Sequence, residues 1–343
     1  LLQKQGYKVV GAFIKGWEPD FLPCTGAADR LEAMRVAAHL KITFVTYDLE
    51  EEYKKGVVDY FIDEYRHGRT PNPDVMCNSI IKFGAFWEKA KTDGADFIAT
   101  GHYAQKSVQR SAYRDQGGSA LYAERSLIPS DPMGYRLNAS VDHEKDQTYF
   151  LWTLTQEQLK HCLFPIGEYT KPQVRTLAKK YKLSTAEKPD SQGVCFIGEI
   201  DVAGFLKEKL GKNPGPIKTL EGKTVGTHDG AIFYTIGQRK GIGIKGSLPG
   251  EQGRIYYVAA KDTDSNTLWV AEGECKELFS KKLIVKNINW ISGIAPKLPL
   301  KCLARIRYRQ PLQKAELFEI PNPKLQITNK FKIKNSKSKI LKV

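Results

Sequence analysis

Three short runs rich in β-branched and aromatic residues, Tyr7 to Ile14 (containing VVGAFI), Ile42 to Tyr47 (ITFVTY) and Asp96 to Thr100 (DFIAT), are spaced along the first hundred residues. Between them lie segments with helical periodicity, at Ala27 to Leu40, Glu50 to His67 and Cys77 to Lys91. Apolar strands alternating with helices imply a parallel sheet covered by helices on both faces. In such sheets ligands sit beyond the carboxyl ends of the strands, which here means the loops after Ile14, Tyr47 and Thr100. Leu1 to Gln5 reads as the last turn of a helix closed by Gly6.

The rest of the chain is organised differently. Ser107 to Met133 is polar and punctuated (RDQGGSA, IPSDPMG) and reads as an insertion. Two capping boxes, Thr155 with Gln158 and Thr170 with Gln173, the second followed by Pro172, announce a small helical middle domain over residues 151–211. The stretch GKNPGP then marks a boundary, after which strands are expected at Ala231 to Thr235, Arg254 to Ala260, Thr267 to Ala271, Leu283 to Asn287 and Lys301 to Arg309. These make a C-terminal β domain, read as a barrel over residues 212–320. Alternation in CLARIRYR puts Arg305, Arg307 and Arg309 on one strand face, able to grip phosphates or simply to face solvent. Residues 321–343 form a lysine-rich tail with seven lysines and no acid.

Composition narrows the class. With 343 residues the chain is long enough for two or three domains, and its apolar and charged fractions of 41% and 27% are those of a folded protein. No run approaches the roughly 18 apolar residues that would span a membrane. The net charge of +15 suggests a polyanionic partner, although removing the tail lowers it to +8. The six cysteines, at 24, 77, 162, 195, 275 and 302, form no C-x-x-C pair, so a structural metal is not expected. The start has no secretory signal, and we expect free thiols in a reducing cytoplasm.

Two cysteines sit in unusual local frames. In R-T-P-N-P-D-V-M-C-N, Pro71 and Pro73 stiffen the loop that presents Asn72 and Asp74, and Cys77 is expected to begin a helix. A thiol there would lie near unsatisfied N–H groups that stabilise thiolate, with Asp74 able to shuttle a proton. The plain alternative, favoured when the segment is taken alone, makes Asp74 a helix cap and Cys77 a buried hydrophobe. In K-P-D-S-Q-G-V-C-F-I-G-E, Gly193 and Gly198 bracket Cys195, which alone reads as part of a buried strand. Together the pair suggests a thiol relay. Thr100-Gly101-His102-Tyr103 follows a strand, where a glycine would let a nucleotide approach; Lys145-Asp146-Gln147 suits base or backbone contact, or merely starts a helix. T-I-G-Q-R-K-G-I-G-I lacks the phosphate-loop pattern and reads as a β-domain loop. Neither H-E-x-x-H nor G-x-S-x-G occurs, which removes zinc-protease and serine-hydrolase readings.

The ordered motifs PNPD-x-x-CN, ATGHY, KDQ-x-YFL, FPIGE, KPQVR, DSQGVCFIGE, YTIGQRKGIGI and RYRQ resemble bacterial tRNA 2-thiouridylases, the MnmA family, from Leu1 to about Gln310. The resemblance implies an α/β fold with an N-terminal PP-loop ATPase domain over residues 1–150, adenine nucleotide alpha hydrolase-like, ahead of the helical and β-barrel domains. It implies a sulfurtransferase that uses ATP, with magnesium expected, to adenylate the C2 oxygen of the wobble uridine before sulfur replaces it. By resemblance Cys195 carries a persulfide from a sulfur-relay or cysteine desulfurase protein, and Cys77 attacks or resolves it, forming a Cys77–Cys195 disulfide. Asp74 matches a general acid/base, and Asn72, Pro73 and Asp74 sit against the target base. Ile14 and Gly101 match nucleotide-contacting positions. His102, Lys145, Asp146, Gln147, Arg307 and Tyr308 match tRNA-contacting ones. The family suggests tRNAs for Lys, Glu and Gln and a monomer. Two departures accompany the match: the family's S-G-G-V-D-S-S loop is not in the chain, and the lysine-rich tail stands in place of its last strands. The sequence is therefore expected to be an N-terminally truncated form. The alternatives are a catalytically impaired tRNA-binding fragment, or another PP-loop ATPase or tRNA thiolase.

Overall fold

The computed structural model describes residues 1–18, 26–108, 134–189, 201–244, 255–273 and 276–319, together with the backbone of 330–335 and 340–341. Cys24, Cys195, Cys275 and nearly all of the 107–133 insertion lie outside the described residues.

Strand–helix alternation holds. Strand β1 (Val10–Lys15) is followed by helix α1 (Gly26–His39) and β2 (Thr43–Asp48), which pairs parallel to β1 with Ile14 opposite Tyr47. Helix α2 (residues 50–66) opens on three glutamates, which complement the positive end of its dipole. Its buried residues, Tyr53, Val57, Val58, Phe61 and Tyr65, recur at helical spacing and face α3 (residues 73–92). Gly56 allows the two helices to approach, since a Cβ there would lie 2.7 Å from Ile80 Cγ2. Strand β3 (Ile98–Ala99) leads into a hairpin of β4 (Ala104–Val108) and β5 (Tyr135–Ala139), in which the paired Val108 and Tyr135 flank the insertion.

Helix α4 (Gln156–Lys160) carries the expected capping box on Thr155 and Gln158. It is followed by β6 (Cys162–Leu163), a strand the sequence did not suggest, which pairs parallel to β3. Helix α5 (Lys171–Lys180) has the second expected capping box, Thr170 with Gln173, and α6 (Val202–Leu210) follows. Leu151, Leu154, Leu159, Phe205 and Leu206 are buried in the same core as Tyr53, Ile81 and Trp87, so the middle helices complete the first core.

Beyond Gly211 come β7 (Gly215–Thr219), β8 (Thr224–His228), β9 (Tyr256–Asp262) and β10 (Thr267–Glu272), forming one sheet in the order β8-β7-β10-β9 over a core of Ile217, Val258, Leu268 and Val270. The expected strand at Ala231 to Thr235 is instead a single 3-10 turn, Ala231–Phe233, which drops Tyr234 into that core. A second sheet follows. After the short β11 (Phe279–Ser280), strands β12 (Lys282–Lys286), β13 (Leu300–Ala304), β14 (Gln313–Glu319) and β15 (Lys330–Asn335) pair antiparallel in the order β12-β15-β14-β13, and β16 (Ile340–Leu341) pairs with β11. The lysine-rich segment thus supplies an interior strand through its backbone hydrogen bonds.

The strand expected to run to Arg309 ends at Ala304. Gln310 Oε1 accepts from the N–H of Ile306 at 2.9 Å and of Arg307 at 3.2 Å, closing a tight turn, and Arg309 takes a left-handed φ of 61°. No three-arginine strand face forms, because alternation stops where the backbone leaves the extended region. Among the described residues, no helix is long and apolar enough to cross a membrane.

Candidate active site

Helix α3 begins four residues before Cys77. Asn72 is its cap, with Oδ1 accepting from Asp74 N at 3.1 Å and Val75 N at 3.4 Å, and Pro73 occupies the first helical position, where its missing N–H costs nothing. The cap is therefore Asn72 and not Asp74, which stands half-buried in the first turn. Cys77 lies in the second turn and is fully buried; its backbone N–H bonds back to the carbonyls of Pro73 and Asp74. The expectation that Cys77 opens the helix beside unsatisfied N–H groups does not hold, because four earlier residues already take up that end.

Asn78, beside Cys77, is buried. It donates from Nδ2 to Phe150 O at 3.1 Å and accepts at Oδ1 from Lys82 Nζ at 3.1 Å. The charge on Lys82 also reaches His102, which is 7% exposed and packs against the rings of Phe83 and Phe164, themselves in edge contact. Burial, with a smaller contribution from Lys82, pushes the His102 imidazole down to about 3, so it is neutral at physiological pH. Its Nδ1 shares a 2.8 Å hydrogen bond with Thr100 Oγ1. The resemblance matches His102 to a tRNA-contacting position; here its ring is buried, and its bond to Thr100 braces the turn that carries Gly101.

Gly101 is exposed, and a Cβ added there would meet nothing within 4 Å. Ile14 is at the carboxyl end of β1, half-buried against the first core. Next to it, Lys15 Nζ bridges Asp48 and Glu50 at 2.9 Å each and ties the ends of β1 and β2 together. Ile14 and Gly101 thus both follow the carboxyl direction of parallel strands, where an α/β sheet binds ligands.

The segment 145–150 is a junction. Gln147 exchanges two 2.9 Å hydrogen bonds with the backbone of Tyr103, holding the Gly101 turn. Asp146 is buried and paired with Arg305 Nη2. Lys145 N caps onto Asp142 Oδ1 at 3.2 Å. The Tyr149 hydroxyl donates to Ile306 O at 3.0 Å, and burial raises its pKa against the pull of Arg307 and a hydrogen bond with Asn72. Phe150 and Tyr149 face Tyr308, with ring centroids at 4.7 and 6.1 Å.

The remaining contacts come from the β modules. Arg307 Nη2 donates to Ile236 O at 3.0 Å, while its buried Nε has no hydrogen-bond partner. Thr70 and Thr235 join hydroxyls at 2.9 Å. Four segments far apart in sequence, 70–78, 146–150, 235–236 and 305–310, therefore meet in one place. Asn72, Tyr149, Phe150, Arg307 and Tyr308 form one wall, tied through the Phe150 carbonyl to Asn78, the chain neighbour of the buried Cys77. Sequence reading missed Asn78, Lys82, Tyr149 and Phe150, although Asn78 and the YF pair stand inside the motifs it quoted.

Cys162 and Cys302 lie elsewhere. Burial pushes the Cys162 thiol up to about 12, and Sγ donates to Gln158 O at 2.9 Å; burial also raises Cys302. Cys195 lies outside the described residues, but both flanks of its segment are held. Lys188 reaches Asp29 (2.8 Å) and Glu32 on α1, Arg175 binds the carbonyls of Ala186 and Lys188, and Phe205 and Leu206 of α6 enter the first core.

This architecture is that of a HUP-type nucleotide domain followed by two β modules. Family models match in that order: "tRNA methyl transferase HUP domain" over residues 1–199, "tRNA methyl transferase PRC-barrel domain" over 203–272 and "Aminomethyltransferase beta-barrel domain" over 280–335. The last two contain the sheets β7–β10 and β12–β15 respectively. The chain is 45% identical to the tRNA-specific 2-thiouridylase MnmA of Legionella pneumophila over 90% of its own length and 80% of the relative's. It is 45% identical to MnmA 1 of Geobacillus kaustophilus, over 94% and 81%, and 40% identical to the Protochlamydia amoebophila enzyme, over 96% and 81%. The chain belongs to the tRNA-specific 2-thiouridylase MnmA family.

Proposed function

We propose that this chain is a tRNA-uridine 2-sulfurtransferase that replaces the C2 oxygen of a wobble uridine with sulfur. The observation that carries this is the meeting of the PNPD turn, Cys77, the TYF segment and the RYR turn in one aromatic-walled site, on a basic chain able to hold a splayed RNA base. The family models speak of methyl transfer, whereas the relatives' names speak of thiolation; the two cysteine motifs suit the thiol relay that thiolation requires.

In this reading ATP is a substrate that activates the C2 oxygen, making AMP the leaving group, and Ile14 and Gly101 line its adenosine end, where the open face of Gly101 admits a ligand to backbone distance. Cys195 receives persulfide sulfur from a donor protein. Attack by Cys77 on the Cys195 sulfur forms the Cys77–Cys195 disulfide and releases the terminal sulfur as hydrosulfide, which displaces AMP from C2. Asp74 handles the proton, Asn72 and Pro73 border the base, and Lys145, Arg307 and Tyr308 meet the RNA around it. The family suggests a cytoplasmic monomer acting on tRNAs for Lys, Glu and Gln.

The test is ATP- and persulfide-dependent 2-thiouridine formation on tRNA, with tRNA binding measured in the same samples. Wild-type product that vanishes in Cys77→Ser and Cys195→Ser, with binding retained within about threefold, is expected, since a serine hydroxyl replaces neither thiolate. Binding without product in the wild type would reduce the chain to a tRNA-binding protein.

A further inference from the structure

We propose that the buried Asp146–Arg305 pair is a positioning latch that sets the aromatic wall tied to Asn78, the neighbour of Cys77, acting through other residues without touching RNA. The inference rests on the thiouridylase reading above for its catalytic consequence, but not for the latch itself.

The Asp146 side chain is 4% exposed and that of Arg305 19%. Both carboxylate oxygens are engaged inside the protein. Thr148 Oγ1 lies 2.9 and 2.8 Å from them, Ser140 N and Thr148 N donate at 3.2 and 3.4 Å, and Arg305 Nη2 completes the set. An enclosed carboxylate offers nothing to a phosphate, and an arginine spent on it is not free to neutralise one. Desolvating both charges makes such a pair a poor source of stability, so its value is in fixing an arrangement.

Asp146 and Arg305 are the first residues of the two segments that supply the aromatic rings of the wall. One residue past Arg305, the carbonyl of Ile306 receives the Tyr149 hydroxyl; further on, Tyr308 packs on Phe150, whose carbonyl is held by Asn78, the neighbour of Cys77. Without the latch the 305–310 turn keeps its internal Gln310 bonds but loses its charged anchor to the 146–150 segment, so that only the Tyr149–Ile306 bond and the ring contacts still hold the Phe150–Tyr308 geometry.

Asp146→Asn, Arg305→Met and the double variant would be compared with wild type in single-turnover thiolation at saturating tRNA, in tRNA binding across a salt series, and in urea unfolding. We expect each single variant to slow thiolation about 10- to 100-fold, the scale of a misplaced site. The tRNA Kd should stay within about threefold and its salt slope unchanged, because no phosphate contact is removed. The double variant should be no slower than the worse single one, since both changes break one interaction. A salt slope lower by about one in Arg305→Met, with thiolation intact at saturating tRNA, would make Arg305 a phosphate contact and overturn the latch. Rate losses that multiply in the double variant would also overturn it. If the wild-type chain forms no 2-thiouridine, the functional reading fails separately, and the urea cycle decides: non-additivity supports the latch and additive effects reject it. Should Asp146→Asn not fold, Arg305→Met and Arg305→Lys, which keeps the charge but not the planar fork, carry the same kinetic and salt comparisons.

Discussion

Cys77 and Cys162 are both buried thiols of the first core, yet their surroundings separate them. Cys162 is pushed up to about 12 by burial and donates to a carbonyl inside α4, so it behaves as a packing residue. Replacing it by alanine should leave thiolation unchanged and lower the unfolding free energy by about 1–2 kcal/mol, read from urea curves. His102 gives a prediction in pH. Its folded pKa near 3 lies below the unfolded value of about 6.5, so the unfolded chain takes up a proton first as pH falls. The contribution of the neutral ring is therefore complete above pH 6.5 and is lost progressively toward pH 3. Between pH 7.5 and 5 this term removes about 2 kcal/mol from wild type, and His102→Gln should lack that part of the loss. An identical pH dependence in the two proteins would mean that His102 is charged in the fold. Nothing in T-G-H-Y foretold this, because Phe83 and Phe164 enclose the ring from segments that sequence spacing cannot place beside it.

At the scale of the element, the N-terminus of α3 ties stability to function. Asn72 satisfies two N–H groups at the helix end, so Asn72→Ala should cost about 0.5–2 kcal/mol in urea unfolding. Asn72→Ser keeps a capping oxygen and should recover most of that stability. If Asn72 also borders the target base, the serine variant should remain slow in thiolation; full recovery of both properties would leave Asn72 a cap alone. Helices and capping boxes were legible because their signals are local: apolar spacing in α2, and Thr155 with Gln158. Boundaries set by which of several nearby groups captures the backbone were not. The helix start moved from Cys77 to Pro73 because Asn72 outcompetes Asp74 for the cap. The strand at Ala304 stopped where Gln310 closes a turn and Asp146 draws Arg305 inward.

For the whole molecule, the net charge of +15 predicts tRNA binding that weakens about 100-fold or more between 50 and 200 mM salt. Arg309, exposed at the turn over the Tyr308 ring, should contribute to that dependence, and Arg309→Ala should lower the slope by about one where Arg305→Met does not. Equal slopes for both variants would remove the distinction between a surface arginine and an anchored one. The sequence by itself determined the α/β start, the β-rich end, the two cysteine motifs and, through eight ordered motifs, the family. Those properties are written in local periodicity and in residue types that the chemistry cannot replace. Only the tertiary structure decided that the described strands after Gly211 divide into two four-stranded sheets and the short β11–β16 pair, that His102 and Asp146 are buried, and that Asn72, Phe150, Arg307 and Tyr308 share one wall. The physical reason is that burial and pairing belong to surfaces that come together on folding, and the neighbours that set a residue's charge state and contacts lie from about 20 positions away, as for His102 and Phe83, to 159, as for Asp146 and Arg305.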